Sequence, residues 1–289
     1  MSVPLRYDLH CHSTVSDGTL TPTAVVERAA ERGVNVLSLT DHDEIGGLDE
    51  ARQAALRVGI AFVDGTELSV SWRDLTLHIV GLRIDPLSPS LVEGMRQIRS
   101  GRIGRARQMG EALAEAGIPG AFEGASRYAA NENLLSRTHF ARFLVEGGHV
   151  KDVREVFKRY LTPGKPGYVE HVWASFADAI GWIHGAGGQA VLAHPGRYKT
   201  DRAGMHALLA EFKELGGDAI EVLTSSHTPA QYDEYASLAL RYKFLASCGT
   251  DYHGPGESWM DFGDLPMLPP GLTPVWHAWP SALTRPGGR

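Results

Sequence analysis

Six of the thirteen histidines fall, together with several carboxylates, in short motifs spread along the chain. His10 and His12 lie in Asp8-Leu9-His10-Cys11-His12, with Asp17-Gly18 close behind. Thr40-Asp41-His42 follows, then Gly65-Thr66-Glu67, His78, Ala193-His194-Pro195 and Asp251-Tyr252-His253. Alternate residues of a strand share a face, so His10 and His12 can both point at one metal ion. A lone His-x-His is weak evidence; the ordered series is strong. Nitrogen and oxygen donors without thiolates suit manganese, zinc or iron and disfavour a structural zinc site. The candidate ligands are His10, His12, Asp17, His42, Glu67, His78, His194, Asp251 and His253, too many for one ion. Glu67 has two oxygens and could bridge a pair. Paired divalent ions in a wet cleft activate hydroxide and brace both oxygens of an in-line displacement, which is phosphoester chemistry.

Such a site needs elements that carry distant residues to one face. Residues 5–10, 34–40, 60–66, 189–193, 219–223 and 244–248 read as short apolar runs, as expected of buried parallel strands. Between them, residues 21–31, 48–58, 176–185, 205–215 and 230–242 keep helical spacing, the first opening on Thr21-Pro22 and closing at Gly33. Residues 75–82 add a further β element. This alternation predicts an α/β fold with a parallel sheet or barrel. In a barrel all C-terminal strand ends open on one face, and the six histidines sit at or near such ends.

From 91 to 165 the rhythm changes to helices without strands, with helices expected at 138–146 and 150–160. Residues 95–165 carry 13 Lys/Arg against 7 Asp/Glu, whereas the rest of the chain carries 15 against 27. A basic helical insertion therefore interrupts an acidic barrel. The net charge of −6 argues against a chain-wide nucleic-acid footprint. No run approaches the roughly 18 apolar residues of a membrane span, and the start lacks a basic segment followed by an apolar one. Only Cys11 and Cys248 are present, so no disulfide framework is expected and a cytoplasmic location is. From Pro266 the chain is Pro-rich and is expected to be irregular.

Taken in order, these motifs resemble the signature of the polymerase and histidinol phosphatase (PHP) family over nearly the whole chain. The resemblance implies a single domain over 1–289, a distorted (β/α)7 barrel holding two or three divalent ions, manganese first, with the 91–165 insertion as a lid or wall. Ser136-Arg137-Thr138-His139 and Thr162-Pro163-Gly164-Lys165-Pro166-Gly167 are similar to the subgroup of nucleoside 3′,5′-bisphosphate phosphatases and 5′–3′ exoribonucleases. Many trinuclear members carry His where this chain has Asp17, and take further histidines from the segment where His139 and His171 are the nearest candidates here. Two ions are therefore favoured, with room for a third.

Within the insertion, Arg96, Arg99, Arg102, Arg105 and Arg107 crowd one helix. A helical wheel puts Arg102 in the apolar stripe and Arg105 at its margin, although Gly101 and Gly104 could break the helix. An inward arginine needs an anion, because burying it alone is costly. Arg102, Arg105 and Arg137 are the leading phosphate contacts, with Lys165 and Arg197 behind them; a solvated charged face is the alternative for each. Asp8 and Asp41 are expected to orient ligand imidazoles. Cys11 should face away from its neighbouring ligands, and Trp72, Trp173 and Trp182 should pack, unless one ring stacks on a base. His149, His184, His206, His227 and His277 are expected to be bystanders.

The expected activity is removal of the 3′-phosphate from a nucleoside 3′,5′-bisphosphate. His10, His12, Glu67, His78 and Asp251 would hold the metals. Asp17, His42, His194 and His253 would complete the shells or protonate the leaving oxygen. A 5′–3′ exoribonuclease acting on short 5′-phosphorylated RNA uses the same chemistry. Histidinol phosphatase, an amidohydrolase and a non-catalytic PHP module are further alternatives. No membrane and no obligate protein partner are expected.

Overall fold

In the computed structural model, which describes residues 4–129 and 131–280, seven strands follow one another around a nearly closed barrel in sequence order. They are β1 (Tyr7–Asp8), β2 (Val36–Leu39), β3 (Ala61–Trp72), β4 (Leu75–Leu82), β5 (Gln189–Leu192), β6 (Ala219–Thr224) and β7 (Leu245–Gly249). β1, β2 and β3 are parallel, β4 runs against both its neighbours, and β5, β6 and β7 are parallel again. The seam closes where Leu9 N donates to Cys248 O (3.0 Å) and Cys11 bridges Tyr252. That switch of partners is why β1 is shorter than the apolar run 5–10. β3 instead runs longer than the run 60–66, so Glu67 lies inside it rather than after it.

Local sequence explains the surrounding helices. α1 (Pro22–Glu31) is capped by the Thr21 hydroxyl, which accepts from Ala24 N, and α2 (Leu48–Val58) stops at Gly59 with φ 79°. The long α3 (Pro89–Glu115) begins just before the predicted insertion and passes unbroken through Gly101 and Gly104. A Cβ at Gly101 would meet the His171 ring at 2.5 Å, and one at Gly94 the Trp182 ring at 2.3 Å. These glycines serve close packing, which offsets their cost of about 1 kcal/mol each in a helix. After α3 come α4 (Ala121–Ser126), α5 (Arg137–Glu146) and α6 (Val153–Val156). The helix expected over 150–160 is α6 followed by a π-helical turn, Phe157–Leu161. The barrel helices resume with α7 (Phe176–Gly185), α8 (Arg202–Glu214) and α9 (Pro229–Tyr242).

Three apolar clusters hold these layers. The largest packs the helices on the sheet and includes Leu37, Leu39, Leu68, Val25 and Ile180. The helices from α3 onward share a core of their own, with Met109, Leu113, Phe140, Leu144 and Leu161. The third joins Val36, Ala61, Leu82 and Ala219 to Val275 and Trp279 of the tail. Those strand residues all lie at one end of the barrel, the N-terminal ends of the parallel strands. The tail, irregular as expected as far as Pro280, plugs that end; its last nine residues lie outside the described ones. The opposite end is left to polar groups.

Candidate active site

At that opposite end the strands deliver their histidines and acids to one point. His10 and His12 lie just beyond β1, His42 beyond β2, His194 beyond β5, and Asp251 and His253 beyond β7. Because β4 is antiparallel, its first half lies at the same end, which brings His78 beside Glu67 of β3. Glu67 is the hub. Its Oε1 lies 3.2 Å from His10 Nε2, 3.0 Å from His78 Nδ1 and 3.1 Å from His194 Nε2; Oε2 lies 2.8 Å from His42 Nδ1 and 3.4 Å from His12 Nε2. Asp251 Oδ1 approaches His12 Nε2 (3.2 Å) and His10 Nε2 (3.5 Å). Asp17 Oδ1 faces His253 Nε2 (3.4 Å) and His42 Nε2 (3.8 Å). All nine sequence-predicted ligands thus converge.

The donor set fits divalent cations. Buried polar atoms normally have partners. Here His12 Nδ1, His42 Nδ1, His78 Nδ1, His194 Nδ1, Asp17 Oδ1 and Glu67 Oε2 are buried without a hydrogen bond. Four overlapping groups bring ligand atoms within 4.8 Å of one another: His12, Asp17, His42 and His253; His10, Glu67 and His194; His10, His12 and Asp251; and His42, Glu67 and His78. Burial and neighbouring imidazoles push His12 down to about 3, and burial and Arg197 push His194 down to about 3, which leaves both neutral as ligands must be. Burial opposes ionisation of Glu67, Asp17 and Asp251, but the surrounding histidines hold all three well below the usual carboxylate range. Against the same burial, Asp17 and Asp251 lift His253 to about 9. A cation would displace such a proton.

A second layer aims these ligands. Glu221, on β6, takes a hydrogen bond from His10 Nδ1 (2.8 Å) at Oε1 and one from His194 N (2.6 Å) at Oε2, so His10 turns Nε2 inward. His253 Nδ1 donates to Asp251 O (2.9 Å) and likewise frees Nε2. His194 and Asp251 have φ of 30° and 54°, left-handed values that non-glycine residues hold at a cost of about 1–3 kcal/mol and that concentrate at functional sites. Sequence reading passed over Glu221, although a lone acid in an otherwise apolar strand signals a buried partner. Changing Glu221 to Gln gives one of its two hydrogen bonds the wrong polarity. Metal affinity should fall roughly 10- to 100-fold, read by titrating metal into the stripped protein.

Asp8 and Asp41 do not hydrogen-bond the ligand imidazoles as expected. Asp41 accepts from Ser13 N, Ser13 Oγ and Ser16 Oγ and shapes the loop that carries Asp17. Asp8 accepts from Thr250 N and supports the approach to Asp251. Neither His139 nor His171 joins a metal-capable group among the described residues. His139 Nδ1 caps α5 through Ser136 N (3.0 Å), and His171 packs edge-on against Trp173. Cys11 does face away, its Sγ donating to Ser38 O (3.3 Å).

The arginines take different positions around a cavity of about 110 Å³ in front of the histidines. Arg102 is buried, as the helical wheel predicts, but its anion is internal: Nε and Nη2 donate to Asp43, which also accepts from Ser69 N (2.7 Å). Asp43 went unnoticed in the sequence. Arg105 and Arg137 line the cavity and donate to the backbone carbonyls of Val169 and Leu161. Burial first, then Arg137 and Arg102, pushes Arg105 down to about 9; burial lowers Arg137 as well. Among the described residues neither Arg105 nor Arg137 has a carboxylate partner, so positive charge accumulates there. Arg197 lines the mouth and pairs with Asp251 Oδ2 (2.7 Å). Lys165 is exposed and is not part of the cavity wall. Trp173 is, with its ring under Arg102 and Arg105, whereas Trp72 is buried and Trp182 packs against α3.

Residues 8–222 match the PHP domain family model. The chain belongs to the PHP domain family. It is 53% identical over 279 residues to a 3′,5′-nucleoside bisphosphate phosphatase of Chromobacterium violaceum, covering 96% of this chain and 98% of that one. It is 44% identical over 275 residues to the 5′-3′ exoribonuclease Rnm of Escherichia coli, covering 94% and 93%. A solved structure from Chromobacterium violaceum, described as an amidohydrolase with bound sulfate and no metal, superposes with a TM-score of 0.91 at 54% identity, covering 94% of each chain. This PHP protein is a metal-dependent phosphoesterase. Among its described residues no helix is long and apolar enough to cross a membrane.

Proposed function

We propose that this PHP phosphoesterase removes the 3′-phosphate of nucleoside 3′,5′-bisphosphates, such as adenosine 3′,5′-bisphosphate, leaving the 5′-monophosphate. The observation that carries this is one small cavity with two unlike walls. One wall is the His/carboxylate cluster; the other is Arg105, buried, and Arg137, half-buried, neither with a carboxylate partner among the described residues. A substrate with two phosphates matches both. The bisphosphate phosphatase relative supports the same assignment.

His10, His12, Glu67, His78, His194 and Asp251 would hold two divalent ions, manganese first, and Asp17, His42 and His253 form a place for a third. Bound there, such ions offset charge at phosphorus and ease deprotonation of the attacking water. The chain does the remaining work. Arg105 and Arg137 hold the 5′-phosphate through forked donors and so fix which phosphate meets the cluster. Glu221 keeps His10 in one tautomer. Water oxygen joins phosphorus, the bond to the 3′-oxygen breaks, and that oxygen takes a proton from His42 or His253, the cavity-facing histidines whose protonated forms, against burial, Glu67, Asp17 and Asp251 favour.

Replacing Arg105 or Arg137 by Ala tests the two-phosphate pocket. A charge-assisted hydrogen bond is worth about 1.5–3 kcal/mol, so KM for the bisphosphate should rise roughly 10- to 100-fold. Hydrolysis of a nucleoside 3′-monophosphate, which has nothing for these arginines, should barely change. An unchanged KM for the bisphosphate in both variants would remove the arginines from the site.

A second reading, 5′–3′ exonuclease action on short RNA, is supported by the 44% identity to the exoribonuclease Rnm of Escherichia coli. A nucleoside bisphosphate resembles the terminal nucleotide of such an RNA with its next phosphate, so both readings use the same cavity.

A further inference from the structure

The rim carries an arrangement that the bisphosphate reaction does not use. Trp259 is 73% exposed, an unusual position for so large an apolar ring. The Arg154 guanidinium lies over it at 4.7 Å from the ring centroid. Arg154 has no hydrogen-bonded or ion-paired carboxylate among the described residues, in contrast to its neighbour Arg159, which pairs with Glu155.

Two connections place this pair beside the cavity. On one side, Trp259 follows Ser258, whose hydroxyl accepts from His253 N (2.7 Å). Glu257 of the same loop pairs with Arg142, and Arg142 Nη2 donates to Asp17 O (2.6 Å). On the other side, Arg154 stands three residues before Phe157 on one helical run, and residues at that spacing share a face. Phe157 lines the cavity, with Arg137 5.7 Å from its ring centroid. Pairings of ring and guanidinium therefore occur within the cavity, at Phe157 and Trp173, and again outside it at Trp259.

An aromatic face with an adjacent cation is the pattern that binds single-stranded nucleic acid, the ring stacking a base and the cation meeting a phosphate. We propose that Trp259 and Arg154 form a platform for the nucleotide downstream of the scissile phosphate when the substrate is a short RNA, the ring stacking its base and the guanidinium meeting its phosphate. The inference rests on the phosphoesterase reading above and extends it along the chain. The step is the same one: water oxygen bonds phosphorus, the bond to the 3′-oxygen breaks and that oxygen is protonated. The shortened RNA keeps the phosphate at its new 5′ end.

The test compares KM for adenosine 3′,5′-bisphosphate and for a 5′-phosphorylated trinucleotide RNA in the Mn-loaded wild type, Trp259→Ala, Trp259→Phe and Arg154→Ala. A stacked base is worth roughly 5- to 100-fold in affinity. Trp259→Ala should raise KM for the trinucleotide by that factor and leave the bisphosphate unchanged, with Trp259→Phe restoring most of the loss. Arg154→Ala should act in the same direction. An unmoved trinucleotide KM, or an equal shift for both substrates, overturns the platform. A wild type that hydrolyses the bisphosphate and refuses the trinucleotide overturns the platform and leaves the phosphatase reading standing. Turnover of neither substrate overturns that reading, and the platform with it.

Discussion

Changing Glu67 to Gln is expected to lower phosphate release by roughly 10³-fold or more, because metal charge stabilisation is worth several kcal/mol and about 1.4 kcal/mol is tenfold. No other carboxylate in the cluster touches five histidines. Glutamine keeps the size and removes the charge. Its amide nitrogen also presents hydrogens where lone pairs must converge, so one of the two overlapping ligand groups that share residue 67 is lost whichever way the amide turns. Elemental analysis after gel filtration should show fewer ions per chain than in the wild type. Circular dichroism should stay native, since the barrel core lies in separate apolar clusters. A fully metal-loaded, active Glu67→Gln protein would show that residue 67 is not the hub.

The second large effect concerns stability. Asp43→Asn should destabilise the protein by about 3–5 kcal/mol, the cost of removing one partner from a buried ion pair. Asp43 is fully buried and Arg102 is 5% exposed, and the pair ties the start of the insertion to the loop after β2 and to β3. Asparagine is the suitable replacement because residue 43 has φ 51°, a left-handed value that Asn tolerates. Removing Arg102 as well, in Asp43→Asn/Arg102→Met, eliminates the stranded charge and should recover much of the loss. Thermal melts of the two single variants and the double give the coupling directly. Additive losses would mean that the pair contributes little.

These two residues show what could and could not be read from the sequence. The ligand set was legible because His10, His12, His42, His194, Asp251 and His253 stand just beyond strands, where apolar runs stop, and because a parallel barrel opens those ends on one face; Glu67 and His78 lie within β3 and β4 instead. Spacing also exposed Arg102, an arginine in an apolar helical stripe. Its partner was not legible: Asp43 stands next to His42 and reads as one more candidate acid until the fold brings α3 across it. Glu221 was hidden in the same way, since its two partners are 211 and 27 residues distant. Lys165, one of the weaker candidates, is turned to solvent, the alternative expected of an isolated surface charge. Gly101 and Gly104 suggested a break, yet the helix continues, with Gly101 packed against His171. Local propensity placed the elements, and contacts made at long range decided the second layer.

The central claim is that one site requires two phosphates and cleaves one. It is tested most directly by phosphate release from adenosine 3′,5′-bisphosphate by the Mn-loaded protein. Adenosine 5′-monophosphate, adenosine 3′-monophosphate, histidinol phosphate and a 5′-phosphorylated RNA oligomer serve as comparisons. The account predicts rapid release from the bisphosphate and much slower release from either monophosphate and from histidinol phosphate. Equal turnover of the bisphosphate and the 3′-monophosphate, or a preference for histidinol phosphate, would contradict it.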